Sequence, residues 1–236
     1  MLSKNEKIRY HRQLILPGFG TEAQIKLRDS KVLVVGAGGL GSPVLLYLAA
    51  AGVGKIGIVD DDFVDVTNLQ RQVLYFTKEI GQIKTLVAQQ KLQNLNPDVA
   101  IECFVERLNE GNAEKIIKDF DLVVDCPDNL GTRFLVSDVT AKFKIPHIYG
   151  AIHQFEGHVS VFNYKNAKSY RNIFHEEPKE RQENESDKGV LGVLPGIIGT
   201  IMANETIKVI TGIGQTLSGR LLIVNTLDMS FQEIDL

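Results

Sequence analysis

The 236-residue sequence contains no tryptophan and only two cysteines, Cys103 and Cys126. Two cysteines are too few for a disulfide framework or for a zinc site with four thiolate ligands. The charges are nearly balanced, because 26 basic and 29 acidic residues give a net charge of only −3. This balance argues against nucleic acid or an anionic membrane as a partner. No apolar run approaches the roughly 18 residues needed to span a bilayer, and the N-terminus does not resemble a signal peptide. We therefore expect a cytoplasmic protein with no nucleic-acid or membrane partner.

A glycine-rich turn between two predicted strands is the most informative pattern that is present. The apolar run Lys31–Val35 is followed by Gly36–Gly41, which has the spacing G-x-G-x-x-G. A small apolar helix over Ser42–Ala51 and a second strand over Lys55–Val59 come next. This order predicts a βαβ unit.

The chemistry of this unit suits a nucleotide. Glycines let the backbone approach a phosphate closely, and the free N–H groups at a helix N-terminus favour an anion. Asp60 ends the second strand, 19 residues after Gly41, at a position where a carboxylate accepts hydrogen bonds from ribose hydroxyls. We therefore expect a nucleotide at Gly36, Gly38, Gly39, Gly41 and Asp60. The alternative is a tight turn that binds no ligand.

The remaining apolar patterns predict an α/β fold. Capping-box spacings at Ser3 and Thr21 predict two N-terminal helices, and the polar segment Lys165–Lys188 predicts a long loop. Further helices are expected from Gly81 onward and over Glu110–Lys118, Asn129–Lys142 and Pro195–Thr211, and strands over Val99–Arg107, Leu122–Cys126, Ile145–Ala151, Gly157–Tyr164, Ser218–Thr226 and Met229–Leu236. This order predicts one domain with a Rossmann-like, mostly parallel sheet, helices on both faces and a continuation of antiparallel strands.

Charged and amide side chains cluster after two of the predicted strands. Four carboxylates fall within six residues after the second strand, and they are costly to pack unless they meet a cation, a metal ion or water. Asn68, Arg71 and Gln72 follow as donors suited to phosphate and sugar, although a solvated loop is the alternative. Lys84 lies in the first turn of a helix, where a cation is unfavourable unless an anion is bound. Asp128 follows a buried strand at the carboxyl edge, where open α/β sheets bind their ligands.

Further motifs run in a fixed order through nearly all of the chain. They are RYHRQLIL at 9–16, the glycine turn at 36–41, TNLQRQ at 67–72, GQIK at 81–84, DCPDN with Arg133 at 125–133, EGHVSVF at 156–162 and PGIIG at 195–199. Together they resemble the MoeB/ThiF/HesA adenylyltransferases, which share their fold with the ubiquitin-activating enzymes. The resemblance implies a helical arm over residues 1–30, a nucleotide-binding part over 31–150, and a part over 151–236 with antiparallel strands, a crossover loop at about 165–190 and the carrier-binding surface.

The resemblance implies activation of a carboxylate with ATP and Mg²⁺. In this family the C-terminal glycine of a ubiquitin-like sulfur carrier, which ends in Gly-Gly, attacks the α-phosphate of ATP. The products are an acyl-adenylate and pyrophosphate, and the pathway is molybdopterin or thiamin biosynthesis. Catalytic roles are implied for Arg12, Asn68, Arg71, Lys84 and Asp128. Nucleotide contacts are implied for Gly36, Gly38, Gly39, Gly41, Asp60, Asp62, Thr67, Asn68, Leu69, Gln70, Arg71, Gln72, Lys84, Asp128, Asn129 and Arg133.

Two of these residues have a further implied role, one toward a metal ion and the other toward a neighbouring subunit. Asp128 is expected to hold Mg²⁺, because hard cations prefer carboxylate oxygens. Arg12 is expected to reach the γ-phosphate of ATP in the neighbouring subunit. The resemblance therefore also implies a homodimer.

Two departures from the family pattern concern cysteine. Many relatives bind zinc through two CxxC pairs, but the positions of the first pair read Ser169-Tyr170-Arg171-Asn172, and no second pair occurs up to Leu236. We therefore expect no zinc site. The crossover loop also lacks the cysteine that some relatives use for covalent transfer, and Cys126 is expected to be a buried apolar residue. No rhodanese-like domain follows, so we expect a separate sulfur donor protein.

Two alternatives remain to be weighed. One is a NAD-dependent oxidoreductase that uses the same glycine turn, and the other is a carrier-binding homologue with reduced catalysis. Charged groups at Arg71, Lys84 and Asp128 serve ATP and Mg²⁺ rather than hydride transfer, and they favour the adenylyltransferase. This interpretation requires Asp60, Arg71, Lys84 and Asp128 to converge around one triphosphate above the glycine turn.

Overall fold

The computed structural model describes residues 1–165, 167–175 and 189–236. The helices in these ranges are α1 (Lys4–Arg9), α2 (His11–Leu14), α3 (Gly20–Asp29), α4 (Gly41–Ala51), α5 (Lys84–Leu95), α6 (Ala113–Ile117), α7 (Leu130–Phe143), α8 (Tyr170–Ile173) and α9 (Val193–Thr211). The strands are β1 (Lys31–Val35), β2 (Lys55–Val59), β3 (Ala100–Phe104), β4 (Leu122–Asp125), β5 (His147–His153), β6 (Glu156–Phe162), β7 (Arg220–Asn225) and β8 (Ser230–Asp235). Most of the expected crossover loop lies outside the described residues.

The strands form one sheet with the order β3-β2-β1-β4-β5-β6-β7-β8. The pairs from β3 to β5 are parallel, and those from β5 to β8 are antiparallel. This confirms the predicted Rossmann-like sheet with its antiparallel continuation. Val35 pairs with both Val59 and Asp125. The ends of β1, β2 and β4 therefore meet at one edge of the sheet.

Helices cover both faces of the parallel half, as the sequence predicts. Val32 and Val34 of β1 pack into one core with residues of α4, α5 and α9. Leu33 and Val35, which point to the opposite face, pack into a second core with residues of α6 and α7. Both sets are buried because a parallel sheet covered on two sides has no solvated face.

Several boundaries differ from those expected from the sequence. The first N-terminal helix is divided at Tyr10 into α1 and α2. The second begins at Gly20, and its N-cap is Phe19 without a side-chain hydrogen bond, so the expected cap at Thr21 is wrong. The strand expected over Val99–Arg107 is shorter, because β2 ends at Val59, which pairs with the last residue of β3.

The helix α9 is long and apolar enough to cross a bilayer by length and composition, which the search for apolar runs did not anticipate. In this structure Leu194, Ile198 and Met202 are fully buried within the core that α9 forms with α4 and the sheet. Glu205 is buried as well, and its carboxylate accepts a 2.7 Å hydrogen bond from Leu217 N. The helix therefore packs as an internal element of the domain.

Candidate functional site

The glycine turn between β1 and α4 is compact because its glycines have no room for side chains. Gly36 has a φ of +93°, and a Cβ there would lie 2.8 Å from the carbonyl oxygen of Cys126. A Cβ at Gly41 would lie 2.1 Å from the carbonyl oxygen of Gly36. These contacts bring the turn against the end of β4. At Gly39, the nearest neighbours would be Pro195 of α9 and the side chain of Arg71.

Asp60 holds the glycine turn through its carboxylate. One oxygen accepts a 2.7 Å hydrogen bond from Ala37 N, and the other accepts a 2.9 Å hydrogen bond from Asp62 N. Burial raises the pKa of the Asp60 carboxyl above its ordinary value, and the hydrogen bond from Ala37 opposes this rise. The structure therefore places Asp60 at the end of β2 and beside the turn, where the sequence predicts it.

Tyr75 is a supporting residue that sequence analysis missed. Its buried hydroxyl donates a 2.8 Å hydrogen bond to the carbonyl oxygen of Ala37. The two backbone polar groups of Ala37 are thus held by Asp60 and Tyr75. Nothing local in the sequence marks Tyr75, because its partner lies 38 residues earlier in the chain.

Lys84 lies beside this network with its side chain only 4% exposed. Its Nζ is 2.8 Å from the carboxylate of Asp62, and its backbone N donates to the carbonyl oxygen of Asp62 at 3.0 Å. Asp60, Asp61 and Asp62 present carboxylate oxygens within 4.8 Å of one another. The Lys84 ammonium therefore offsets repulsion within this acidic group, and its predicted contact with a bound phosphate stays a prediction.

The segment 67–72 runs along the same turn. Arg71 donates from Nη1 to the carbonyl oxygen of Thr67 at 3.1 Å and to Gln70 Oε1 at 3.4 Å. Gln72 is 5% exposed, and its Nε2 would be 3.3 Å from a Cβ at Gly38. The Gln72 Oε1 atom is buried and has no hydrogen-bond partner among the described residues. A buried, unpaired amide oxygen beside the turn suits a hydroxyl or amino group of a bound nucleotide.

Asp128 lies two residues beyond Cys126, whose backbone contacts the glycine turn. Its side chain is exposed, and its partner among the described residues is Asn129 Nδ2 at 3.5 Å. Asn129 Oδ1 caps α7 by accepting a 2.9 Å hydrogen bond from Thr132 N. The accessible carboxylate of Asp128 has the donor chemistry that Mg²⁺ requires.

Arg133 has a different environment from the one that a nucleotide contact requires. It is 8% exposed, and its guanidinium contacts the Asp125 carboxylate and the carbonyl oxygens of Pro127 and Gly150. These contacts account for Arg133 without a nucleotide, so its predicted nucleotide contact stays a prediction. Arg12 is exposed on α2 and belongs to the N-terminal arm. Its predicted reach to a neighbouring subunit likewise stays a prediction.

The predicted site residues thus collect in one region for the most part. Asp60, Asp62 and Lys84 form a connected hydrogen-bond network at the turn, and Arg71 is adjacent to Gly39. Asp128 follows β4 at the same edge of the sheet. This arrangement fits a nucleotide with its metal ion. A common ligand for these side chains remains a prediction.

The segment Ser169–Asn172, which was compared with a cysteine pair in the sequence analysis, lies in α8 and its N-cap. Tyr170 packs on Phe174 with ring centroids 4.6 Å apart, and on Tyr149 at 5.2 Å. Arg171 forms two hydrogen bonds with the carboxylate of Asp138 on α7, at 2.5 and 2.7 Å. Aromatic packing and an ion pair hold this part of the chain in place.

The two cysteines have apolar or backbone surroundings. Cys126 lies in the core, and burial raises the pKa of its thiol well above the ordinary range. Cys103 is half-buried and donates to the carbonyl oxygen of Thr85 at 3.3 Å. The expectation that Cys126 is a buried apolar residue is confirmed.

Known proteins match this chain over nearly its whole length. A family model described as the ThiF family matches residues 10–236. The chain is 47% identical over 233 residues to a "Probable molybdopterin-synthase adenylyltransferase" of Porphyra purpurea, covering 98% of this chain and 61% of that protein. It is 47% identical over 238 residues to the "Sulfur carrier protein adenylyltransferase" of Thermus thermophilus, covering 98% of this chain and 88% of that protein. The chain thus spans about three fifths of the length of the first relative and most of the second.

Solved structures share the fold. A crystal structure of E. coli MccB with ATP has a TM-score of 0.84 at 22% identity, covering 96% of this chain and 71% of that chain. A crystal structure of PaaA has a TM-score of 0.85 at 24% identity, covering 99% of this chain and 74% of that chain. At these identities the likeness concerns the arrangement of helices and strands.

Proposed function

Because this chain belongs to the ThiF family, as its motifs indicate, we propose that it is an ATP-dependent adenylyltransferase. Its substrate is the C-terminal glycine of a ubiquitin-like sulfur carrier that ends in Gly-Gly. The observation that carries this proposal is the buried Lys84 ammonium, linked through Asp62 and Asp60 to the glycine turn. A buried cation at a phosphate-binding turn serves phosphate chemistry better than hydride transfer.

The proposed reaction forms a mixed anhydride. A carboxylate oxygen of the carrier attacks the α-phosphorus of ATP, the bond from that phosphorus to the bridging oxygen breaks, and pyrophosphate leaves. Arg71 and Lys84 offset the negative charge that develops on the phosphates. Asp60 accepts hydrogen bonds from the ribose, with the amide groups of Asn68 and Gln72 nearby. No protein nucleophile is needed, which is consistent with the buried thiol of Cys126, whose pKa is raised by burial.

Mg²⁺ would be held by the accessible carboxylate of Asp128. When bound with ATP, the ion would neutralise phosphate charge. Zinc has no proposed role, since Ser169–Asn172 offers no thiolate where relatives have their first cysteine pair. Sulfur would come from a separate donor protein. We infer a cytoplasmic setting from composition alone.

A homodimer is part of the proposal, because Arg12 is assigned to the site of the neighbouring subunit. Support comes from the exposure of Arg12 and of the apolar side chains next to it, Ile15 and Leu16, which are 58% and 52% exposed. Exposed apolar side chains of this size favour burial against another surface. The pathway is molybdopterin or thiamin biosynthesis, and the names of the relatives favour the former.

Intact mass spectrometry of the carrier tests this proposal. Incubation of the enzyme, MgATP and a Gly-Gly-ended carrier should add one AMP to the carrier. A carrier that lacks its last glycine is the matched control and should remain unmodified. If the carrier is bound but never carries AMP, the homologue with reduced catalysis replaces this proposal, and if bound NAD rather than ATP is found, the oxidoreductase does.

A further inference from the structure

We propose that Arg133 is a positioning residue that fixes the turn carrying Asp128, and that it does so without contacting the nucleotide. This inference rests on the proposed role of Asp128 in holding Mg²⁺. Arg133 belongs to the same sequence motif as Asp128, but the structure gives the two side chains opposite surroundings. The side chain of Arg133 is buried, whereas the side chain of Asp128 is exposed to solvent.

The contacts of Arg133 surround the base of this turn. Its Nη2 donates to the carbonyl oxygen of Pro127, directly before Asp128, at 3.1 Å, and to that of Gly150 on β5 at 2.9 Å. Its Nε donates to Asp125 Oδ2 at 3.1 Å. One guanidinium therefore ties the turn to the end of β4 and to the middle of β5.

The guanidinium itself is held rigidly. Asp125 is fully buried, and its Oδ2 also lies 3.3 Å from His147 Nε2. The guanidinium carbon of Arg133 lies 4.9 Å from the centre of the Tyr149 ring. A planar group fixed by a carboxylate and an aromatic face has little freedom to rotate. This makes Arg133 a firm support for the Pro127 carbonyl.

The other side of the turn is fixed by the cap of α7. Asn129 Oδ1 accepts from Thr132 N, so the backbone is held directly after Asp128. Arg133 holds it directly before Asp128. Mg²⁺ accepts only near-ideal octahedral geometry at short oxygen distances. A turn that is held on both sides presents the Asp128 carboxylate at a fixed place.

ATP affinity measured with and without Mg²⁺ distinguishes a positioning role of Arg133 from a direct contact with the nucleotide. ATP affinity of Arg133→Met is measured by calorimetry in Mg²⁺ and again in excess chelator. We expect binding of MgATP to weaken about tenfold, while binding of metal-free ATP changes by less than about twofold. Equal weakening under both conditions would overturn the proposal in favour of a direct nucleotide contact, and no change under either condition would also overturn it.

Further variants make the test specific. Phe134→Leu is the matched control, because Phe134 is the next buried residue of α7 and its ring contacts Tyr170 and Arg171 rather than the turn. It should lower the melting temperature and leave both affinities unchanged. Arg133→Lys keeps the charge beside Asp125, so its affinity for MgATP should fall less than that of Arg133→Met. This variant also covers the case in which Arg133→Met does not fold.

The double variant Arg133→Met/Asp128→Ala tests whether Arg133 acts through Asp128. It should bind MgATP no more weakly than Asp128→Ala alone, because coupled residues are not additive. Additive losses would overturn the positioning role. A wild-type protein that binds no ATP under either condition would instead refute the proposed function, so the two failures are distinguishable.

Discussion

At the scale of single residues, the support of the glycine turn by Tyr75 yields a direct prediction. Tyr75→Phe removes the hydroxyl that donates to Ala37 O and leaves that carbonyl without its partner. We expect the free energy of unfolding to fall by about 1 kcal/mol. ATP affinity should fall about fivefold, because Ala37 N, which Asp60 holds, loses its firm position.

Tyr47→Phe is the matched control for this change. Tyr47 is 55% exposed on α4, so loss of its hydroxyl should alter neither quantity. Chemical denaturation and calorimetry with ATP provide the two measurements. Equal ATP affinity in Tyr75→Phe and wild type would show that the turn does not depend on this hydrogen bond.

Individual site residues differ in how far they were predictable from sequence. Asp60 and Lys84 were expected at the end of a strand and the start of a helix, and both positions follow from local patterns. Asp62, the partner of Lys84 in this structure, was expected as a nucleotide contact and as one of four carboxylates that need a cation, a metal ion or water. The hydroxyl of Tyr75 binds a residue 38 positions earlier, and Arg133 joins its own motif to Gly150 of β5. A local sequence pattern does not predict the direction in which such long side chains extend.

At the scale of elements, α9 packs against the start of α4 and so supports the glycine turn, whose last residue begins α4. A Cβ at Gly199 would lie 2.5 Å from both Leu40 O and Pro43 Cγ. Gly199→Ala therefore forces α9 away from α4 and should lower the free energy of unfolding by about 1–3 kcal/mol. Denaturation in urea measures this loss.

Gly196→Ala provides the control within the same helix. A Cβ at Gly196 meets no described atom within 4 Å, so alanine gains helix propensity without a clash. The free energy of unfolding should rise by about 0.5–1 kcal/mol. If the two variants changed stability in the same direction, close packing at Gly199 would not be the cause.

The elements were predictable where the sequence itself delimits them. The bounds of β1 and β2 agree with expectation because glycine-containing segments interrupt the apolar runs on both sides of α4. β3 is shorter than expected because its neighbour β2 ends at Val59, and β2 offers no pairing partner for β3 beyond Phe104. The start of α3 was misplaced because Thr21 has the sequence of a cap but lies inside the first turn of the helix.

At the scale of the whole molecule, the sheet order brings the ends of β1, β2 and β4 together. Alternating strand and helix patterns predict such a sheet, but only the register shows that Val35, Val59 and Asp125 lie side by side. The family resemblance was recognisable from ordered motifs. The hydrophobic periodicity of the sequence does not indicate which surfaces join two copies of the chain.

Mixing two inactive variants tests the proposed homodimer. Arg12→Ala and Lys84→Ala should each be inactive, since each site is proposed to use Lys84 of one subunit and Arg12 of the other. A mixed dimer contains one intact site, so an equal mixture should recover about a quarter of wild-type activity. Recovery is measured as AMP transfer to the carrier after subunit exchange. Absence of recovery in dimers shown to be mixed would place Arg12 in the site of its own subunit, and wild-type activity of Arg12→Ala alone would place Arg12 outside both sites.

Carrier-dependent exchange of labelled pyrophosphate into ATP tests the central claim most directly. Wild-type protein should catalyse exchange only with a Gly-Gly-ended carrier present, and Asp128→Ala should reduce the rate to background. Exchange that proceeds equally without a carrier, or that persists in Asp128→Ala, would contradict the account. So would a wild-type rate at background with every Gly-Gly-ended carrier tested.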